Sequence, residues 1–564
     1  MTSSSKNPVI VIGLDSAQPS LLEKWMSEGY LPNLIHLKEK GVYGNLENFR
    51  DSNVETAWTT IATGCSPKTT GYWVAMGLKE GTYKTETLAA YDFQEYPPFF
   101  SHLKNYRIAT FDVPQLRIRG DINGLQIGGW GAHSPQIPSS SVPESLWEEI
   151  ISKYGNHPAL HKDYSLSLDL PQTLDVEKRL LTGITRRIDI CKDLLSREPW
   201  DLFYTVFGES HGGGHLFWHL SQPDHPLYDI FQPLIDHDPL LKIYQAIDHA
   251  IGEILKIAPS NANIILFSAH GMGTAQIDLP SFIFLPELLY RYSFPNKYCL
   301  GYSDPSQPIP PMITSLKWNY WERNIWGTKY DPNPLRRFLR NQLPTKLFNL
   351  FQPWIDPITD DDLIFDTQLR KQGEKVVPWN PAQWYQPLWS KMKAFAIPSF
   401  AEGYVRINLK GREPQGTVEP SEYDTVCEEI SQLLYSLKDA RNDLPMVTRV
   451  IRTRKNYSDD NPKLPSADLV VVWREEHMTD VVESPTHGRI GPFPFYRSAS
   501  HREKGFILAC GKDIPKSDQL LNGHVLDIPP TILNLMGADI PAHLEGKPLN
   551  FSSVSHQKID ESKI

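Results

Sequence analysis

Residues 202–218 read LFYTVFGESHGGGHLFW, and the rest of the chain can be read outward from them. Leu202 to Phe207 is an unbroken apolar and aromatic run, the pattern of a strand buried on both faces of a parallel sheet. The run gives way to Glu209, His211, three glycines and His215, a segment that reads as a loop. Two imidazoles four residues apart, with a carboxylate two residues ahead of them, are a compact set of metal-ligand types. The glycines are expected to let the backbone turn tightly, so that both rings face one point. Sites in open α/β sheets lie at the carboxyl ends of the strands, which is where this segment falls.

Other strands end in the same way. VIVIGL (9–14) stops at Asp15, and IILFS (264–268) runs into Ala269 and His270. His501 stands just before FILAC (506–510). Strand-like stretches at 41–46, 107–111 and 125–127 add to the set, the last leading to Trp130 and His133, which are candidates to line a substrate pocket. Helical periodicity covers 19–38 (broken by Gly29 and Pro32), 142–154, 175–196 and 240–257. This alternation predicts an α/β fold, a mostly parallel central sheet flanked by helices on both faces. Ser52 and Glu55 match a capping box at the start of a further helix, with Gly64 as its stop. The free amides of that helix would meet the same sheet edge, ready to hold an anion.

Composition narrows the function classes. Of 564 residues, 40% are hydrophobic and 22% charged, as in ordinary globular proteins. A net charge of −10 without a long basic run argues against nucleic-acid binding. No apolar run is long enough to span a membrane. Five scattered cysteines without a CxxC pair suggest neither a disulfide framework nor a zinc ribbon, and the polar start lacks a signal-peptide pattern. A cytoplasmic enzyme is expected. Residues 276–394 change texture, rich in proline and tryptophan, and read as an insertion or cap over a core made of 1–275 and 395–550, with a loose tail at 551–564.

Seven ordered blocks carry a family resemblance: VIGLDSA, TAWTTIATGCSPKTTG, DLFYTVFGESHGGGHLFWH, FSAHGMG, YVRINLKGREPQG, SASHREKGFILACG and DIPPTILNLMG. Through them the chain resembles the alkaline phosphatase superfamily, in particular its type I phosphodiesterase/nucleotide pyrophosphatase branch and the related phosphohydrolases and phosphomutases. The resemblance implies a hydrolase of small phosphate esters with one or two divalent ions, zinc or manganese. One ion would be held by Asp15, His270 and the nucleophile, the other by His211, His215 and His501. It also implies two departures. Ala269 stands where the family has an aspartate ligand, and Val54 stands at the nucleophile position. Thr56, with Glu55 beside it, is the nearest hydroxyl, and Glu209 is expected to replace the missing carboxylate. A phosphomutase, a phosphonate or sulfate-ester hydrolase, and a silent binding protein are the alternatives on the same fold. The helix lacks the cysteine-x-proline-x-arginine pattern of sulfatases.

Overall fold

Alternation along single strands decides how the layers form. In β1 (Val9–Leu14), Ile10, Ile12 and Leu14 enter one hydrophobic core while Val9 and Val11 enter another. A strand whose side chains are apolar on both sides needs cover on both faces. The computed structural model describes residues 7–49, 53–88, 90–131, 137–160, 169–274, 277–317 and 320–551.

The other strands of this sheet are β2 (Val42–Glu47), β3 (Ile108–Phe111), β4 (Gly124–Gly128), β5 (Ser140–Val142), β6 (Leu202–Phe207), β7 (Asn263–Ser268), β8 (Gly505–Cys510) and β9 (Leu521–His524). They lie in the order β9-β2-β8-β7-β1-β6-β3-β4-β5. Only β8 and β5 run against the rest. The expected mostly parallel sheet, with helices on both faces, is therefore the observed architecture. One face is covered by the helices Pro19–Ser27, Pro32–Lys40, Leu170–Arg197, Glu209–Ser221 and Pro239–Leu255, whose buried residues share one core. The helices Asn53–Thr63 and Ile528–Met536 cover the other. Gly64 ends the first of these two in the left-handed region at φ 68°. No helix among the described residues is long and apolar enough to cross a membrane.

The boundary expected at 395 moves. Ala394–Ile397, Gly403–Ile407, Leu469–Trp473 and Val447–Arg452 form a separate antiparallel sheet. Its apolar face shares a third core with insertion residues such as Trp321, Trp326, Trp384 and Trp389, all fully buried. Trp326 stacks on Phe365 at 4.7 Å and meets Trp384 edge-on at 5.3 Å. The chain returns to the central sheet only at β8. Strand-like sequence at 394–473 signals a strand but cannot say which sheet it joins, because strand pairing is a non-local choice. The tail, from 552 on, lies outside the described residues.

Candidate active site

Residues 208–215 do not form a loop. The helix Glu209–Ser221 begins directly after β6 and contains all three glycines. His211 and His215 are thus one turn apart on one helical face, which brings them together without a tight turn. The glycines serve packing instead. A Cβ at Gly213 would lie 3.0 Å from Ile243 Cδ1, and one at Gly214 would lie 3.0 Å from Met272 Cε. Small residues here let the helix press against its neighbours while its polar face stays aimed at the sheet edge.

His501 arrives from the other end of the chain. Ser500–Arg502 pairs antiparallel with Gly271–Gly273, setting His501 opposite Met272. Because β8 runs against β7, the residues before β8 lie at the same edge as those after β7. Ligand nitrogens of His211, His215 and His501 all lie within 4.8 Å of one another. The His215 and His211 Nε2 atoms are 3.2 Å apart. His215 Nδ1–H donates to the Ala499 carbonyl at 2.8 Å, which fixes the tautomer and leaves Nε2 as the ligating atom. Three imidazoles oriented in this way fit a zinc-type divalent ion.

The second group adjoins the first. Asp15 follows β1 and His270 follows β7, adjacent parallel strands, and His270 Nε2 lies 3.7 Å from Asp15 Oδ1. The Trp58 indole donates to Asp15 Oδ1 at 3.1 Å, and His270 Nδ1 lies 3.3 Å from Ser16 Oγ. The His270 and His501 rings touch, with centroids 4.8 Å apart. Asp15, His215 and His270 are almost fully buried, and His211 is only half-buried. The helix carrying Thr56 in its first turn packs against the Ser500–Arg502 strand. Thr56 itself is buried.

Sequence reasoning missed Trp58, Ser16 and Arg497. Arg497 Nη1 donates to His215 Nε2 at 3.0 Å, so a permanent cation stands beside the histidine group. It sits one residue before the SASHREKG block, outside the pattern that drew attention to His501. Asn48 also reaches the edge, donating to the Ala269 carbonyl at 3.3 Å.

Two expectations are corrected. Glu209 does not stand in for the missing aspartate: its Oε1 accepts from Arg187 Nε at 3.1 Å and lies 3.2 Å from His157 Nε2. Arg187 in turn donates to Asp112 Oδ2 at 2.7 Å. Burial works to raise the Glu209 carboxyl, but Arg187 and His157 outweigh it and hold it down at about 2. The first residue of a helix projects toward its own strand and the neighbouring long helix, a quarter-turn or more from the His211–His215 face. Trp130 is fully buried, its indole donating to the Gly155 carbonyl at 3.0 Å and its ring packed on Phe111 and His157. It is core, not pocket wall. His133 and the Glu55 side chain, with Ser52 of the capping box, lie outside the described residues.

Glu209→Gln should therefore destabilise the fold by on the order of 3 kcal/mol, the scale for breaking a buried ion pair. Metal content of the folded variant should match wild type. Denaturant melts paired with metal analysis check this, and normal melting with lost metal would return Glu209 to the ligand set.

A sheet whose carboxyl edge gathers four histidines, an aspartate and an arginine beside a helix N-terminal turn defines a class: an α/β protein with a metal-type centre suited to anionic esters. The chain belongs to the type I phosphodiesterase/nucleotide pyrophosphatase family, whose model matches residues 9–291. It is thus a member of a family of phosphoester hydrolases. Phosphonoacetate hydrolase from Sinorhizobium meliloti 1021 is similar in structure, with 14% identity, a TM-score of 0.47 and coverage of 95% of this chain and 96% of that one. Murine ectonucleotide pyrophosphatase/phosphodiesterase 5 gives 11%, 0.44, 95% and 96%, and the alkaline phosphatase PafA gives 11%, 0.49, 97% and 99%. No curated protein sequence matches the chain.

Proposed function

We propose that the protein hydrolyses phosphodiesters at the edge built by His211, His215, His501, Asp15 and His270. The observation that carries this reading is the convergence of three histidine ligand atoms within 4.8 Å, with the His215 tautomer set for ligation. His211, His215 and His501 would hold a divalent ion, zinc by the softness of three nitrogens, with Asp15 and His270 able to take part in a second. When bound, such an ion supplies Lewis-acid polarisation of a phosphoryl oxygen.

The protein's own groups supply the rest. The first turn of the Asn53–Thr63 helix directs backbone amides at the anion. Thr56 is the hydroxyl nearest the family's nucleophile position and is assigned the attack on phosphorus: its O–P bond forms as the bond to the leaving group breaks, its proton goes to the leaving alkoxide, and water then cleaves the phosphothreonine to free Thr56. Direct attack by water is the second reading, favoured by the burial of Thr56 and by Val54 at that position. Arg497 is assigned the grip on a non-bridging phosphoryl oxygen. Its guanidinium lies beside the histidine group, and a phosphate offers it a bidentate acceptor.

Arg497→Ala should weaken competitive inhibition by orthophosphate about tenfold or more, and Arg497→Lys should restore part of it. Unchanged phosphate affinity in Arg497→Ala would remove Arg497 from this role. The function as a whole is tested by metal analysis of the purified protein together with turnover of p-nitrophenyl mono- and diesters. Diester turnover that is lost with chelator and restored with zinc is expected, and turnover of monoesters alone would overturn the reading. A cytoplasmic setting is proposed as well, supported by five cysteines that are all buried free thiols.

A further inference from the structure

One turn beyond His215, the same helix borders a cavity of about 170 Å³. Leu216, Leu220, Phe231 and Phe495 line it, together with Ile313 and Leu316 of the insertion. Its lining is predominantly apolar. The carboxylate at its edge, Asp169, is occupied as a helix cap, accepting from the Gln172 amide at 2.9 Å. His219, one turn after His215 on nearly the same face, also borders it and packs edge-on against Phe231 at 5.4 Å. Burial lowers His219 to about 3 and His225 beside it to about 4, so neither imidazole is charged at neutral pH.

One stretch of chain joins the cavity wall to the metal-type centre. Pro494 and Phe495 line the cavity, and two residues on Arg497 touches His215 Nε2. Ser498 then anchors this segment, its amide and hydroxyl both donating to the His215 carbonyl at 2.9 and 2.8 Å. The insertion secures the same segment from outside, the Trp321 indole donating to the Pro494 carbonyl at 2.7 Å. One short peptide thus forms the wall of both spaces.

We infer that this cavity is a subsite for one apolar organic group of the ester, of the size of a single aromatic ring, seated while its phosphoryl group lies at Arg497 and the histidines. The inference rests on the phosphodiester reading and deepens it by naming the substituent. The size follows from volume: a dry apolar cavity of about 150 Å³ accommodates benzene. A nucleoside or a long acyl chain would not fit inside it. This also gives the insertion a place in recognition, through Ile313 and Leu316, while Trp321, Trp326, Trp384 and Trp389 remain core.

Phenylphosphonate and methylphosphonate, compared as competitive inhibitors, test the inference because each carries a single organic group. On the zinc-loaded wild type, phenylphosphonate should bind about tenfold or more tighter than methylphosphonate. Leu220→Trp, which fills the cavity, should abolish that difference and leave the methylphosphonate constant unchanged. Leu316→Trp, at a half-buried lining position from the insertion, should do the same and covers the case in which Leu220→Trp fails to fold. Equal inhibition by the two phosphonates on wild type, or a phenyl preference that survives in a folded filled variant, would overturn the subsite alone. No inhibition by either compound, with no diester turnover, would overturn the phosphodiester reading and the subsite with it.

Discussion

Replacing His501 by alanine should strip the histidine-bound ion and lower diesterase activity by at least about a hundredfold, while the protein stays folded. The expected effect of losing His501 is large because it stands between the two groups. Its ring centroid lies 5.0 Å from that of His211, 4.7 Å from His215 and 4.8 Å from His270. Removing it leaves two imidazoles on one helix, and two protein ligands fall short of the three or four of stable sites. The backbone should survive, since the Ser500–Arg502 strand is held by its ladder with Gly271–Gly273. Elemental analysis, thermal melting and diester kinetics on one preparation provide the check. His211→Ala, at the half-buried end of the trio, should show the same loss of metal. A His501→Ala protein that keeps its full metal content would contradict the assignment of the trio.

The second large effect is expected at Thr56. If its hydroxyl attacks phosphorus, Thr56→Ala should lose on the order of three decades or more in kcat, and Thr56→Ser should keep measurable turnover. The ion of the histidine trio should stay bound, because the trio does not include Thr56. Acid-quenched wild type should carry one phosphoryl group on the peptide containing Thr56. The surroundings give reasons for a large effect. The helix bearing Thr56 packs against the strand of His501, and Trp58, half a turn on, donates to Asp15. Near-normal turnover in Thr56→Ala would exclude the covalent route and assign the attack to water.

Much of this was legible in the residues themselves. Unbroken apolar runs such as VIVIGL and LFYTVF read as doubly buried strands, and both are central parallel strands. Histidines and an aspartate just past such runs had to gather at one edge, because parallel strands bring their carboxyl ends together. That logic united Asp15, His211, His215 and His270, and the ordered blocks led to the family; His501, which precedes its strand, reaches the same edge because β8 runs antiparallel to β7.

What the residues did not disclose was decided by non-local packing. GESHGGGH reads as a loop because glycine disfavours helix, yet it is helical, since Ile243 and Met272 press on it where larger side chains would collide. Glu209 looked like a ligand in the linear pattern, but Arg187, from a helix that ends before β6 begins, claims its carboxylate. Arg497 carries no signal of its own and reaches His215 only because an antiparallel pairing with Gly271–Gly273 pulls its segment across the sheet edge. The strands at 394–473 gave their type but not their partner, and they build a sheet of their own around the insertion's tryptophans. Local pattern determines which residues are buried and which edge they approach. Which charge meets which partner there depends on contacts hundreds of residues apart, and those exist only once the layers have packed.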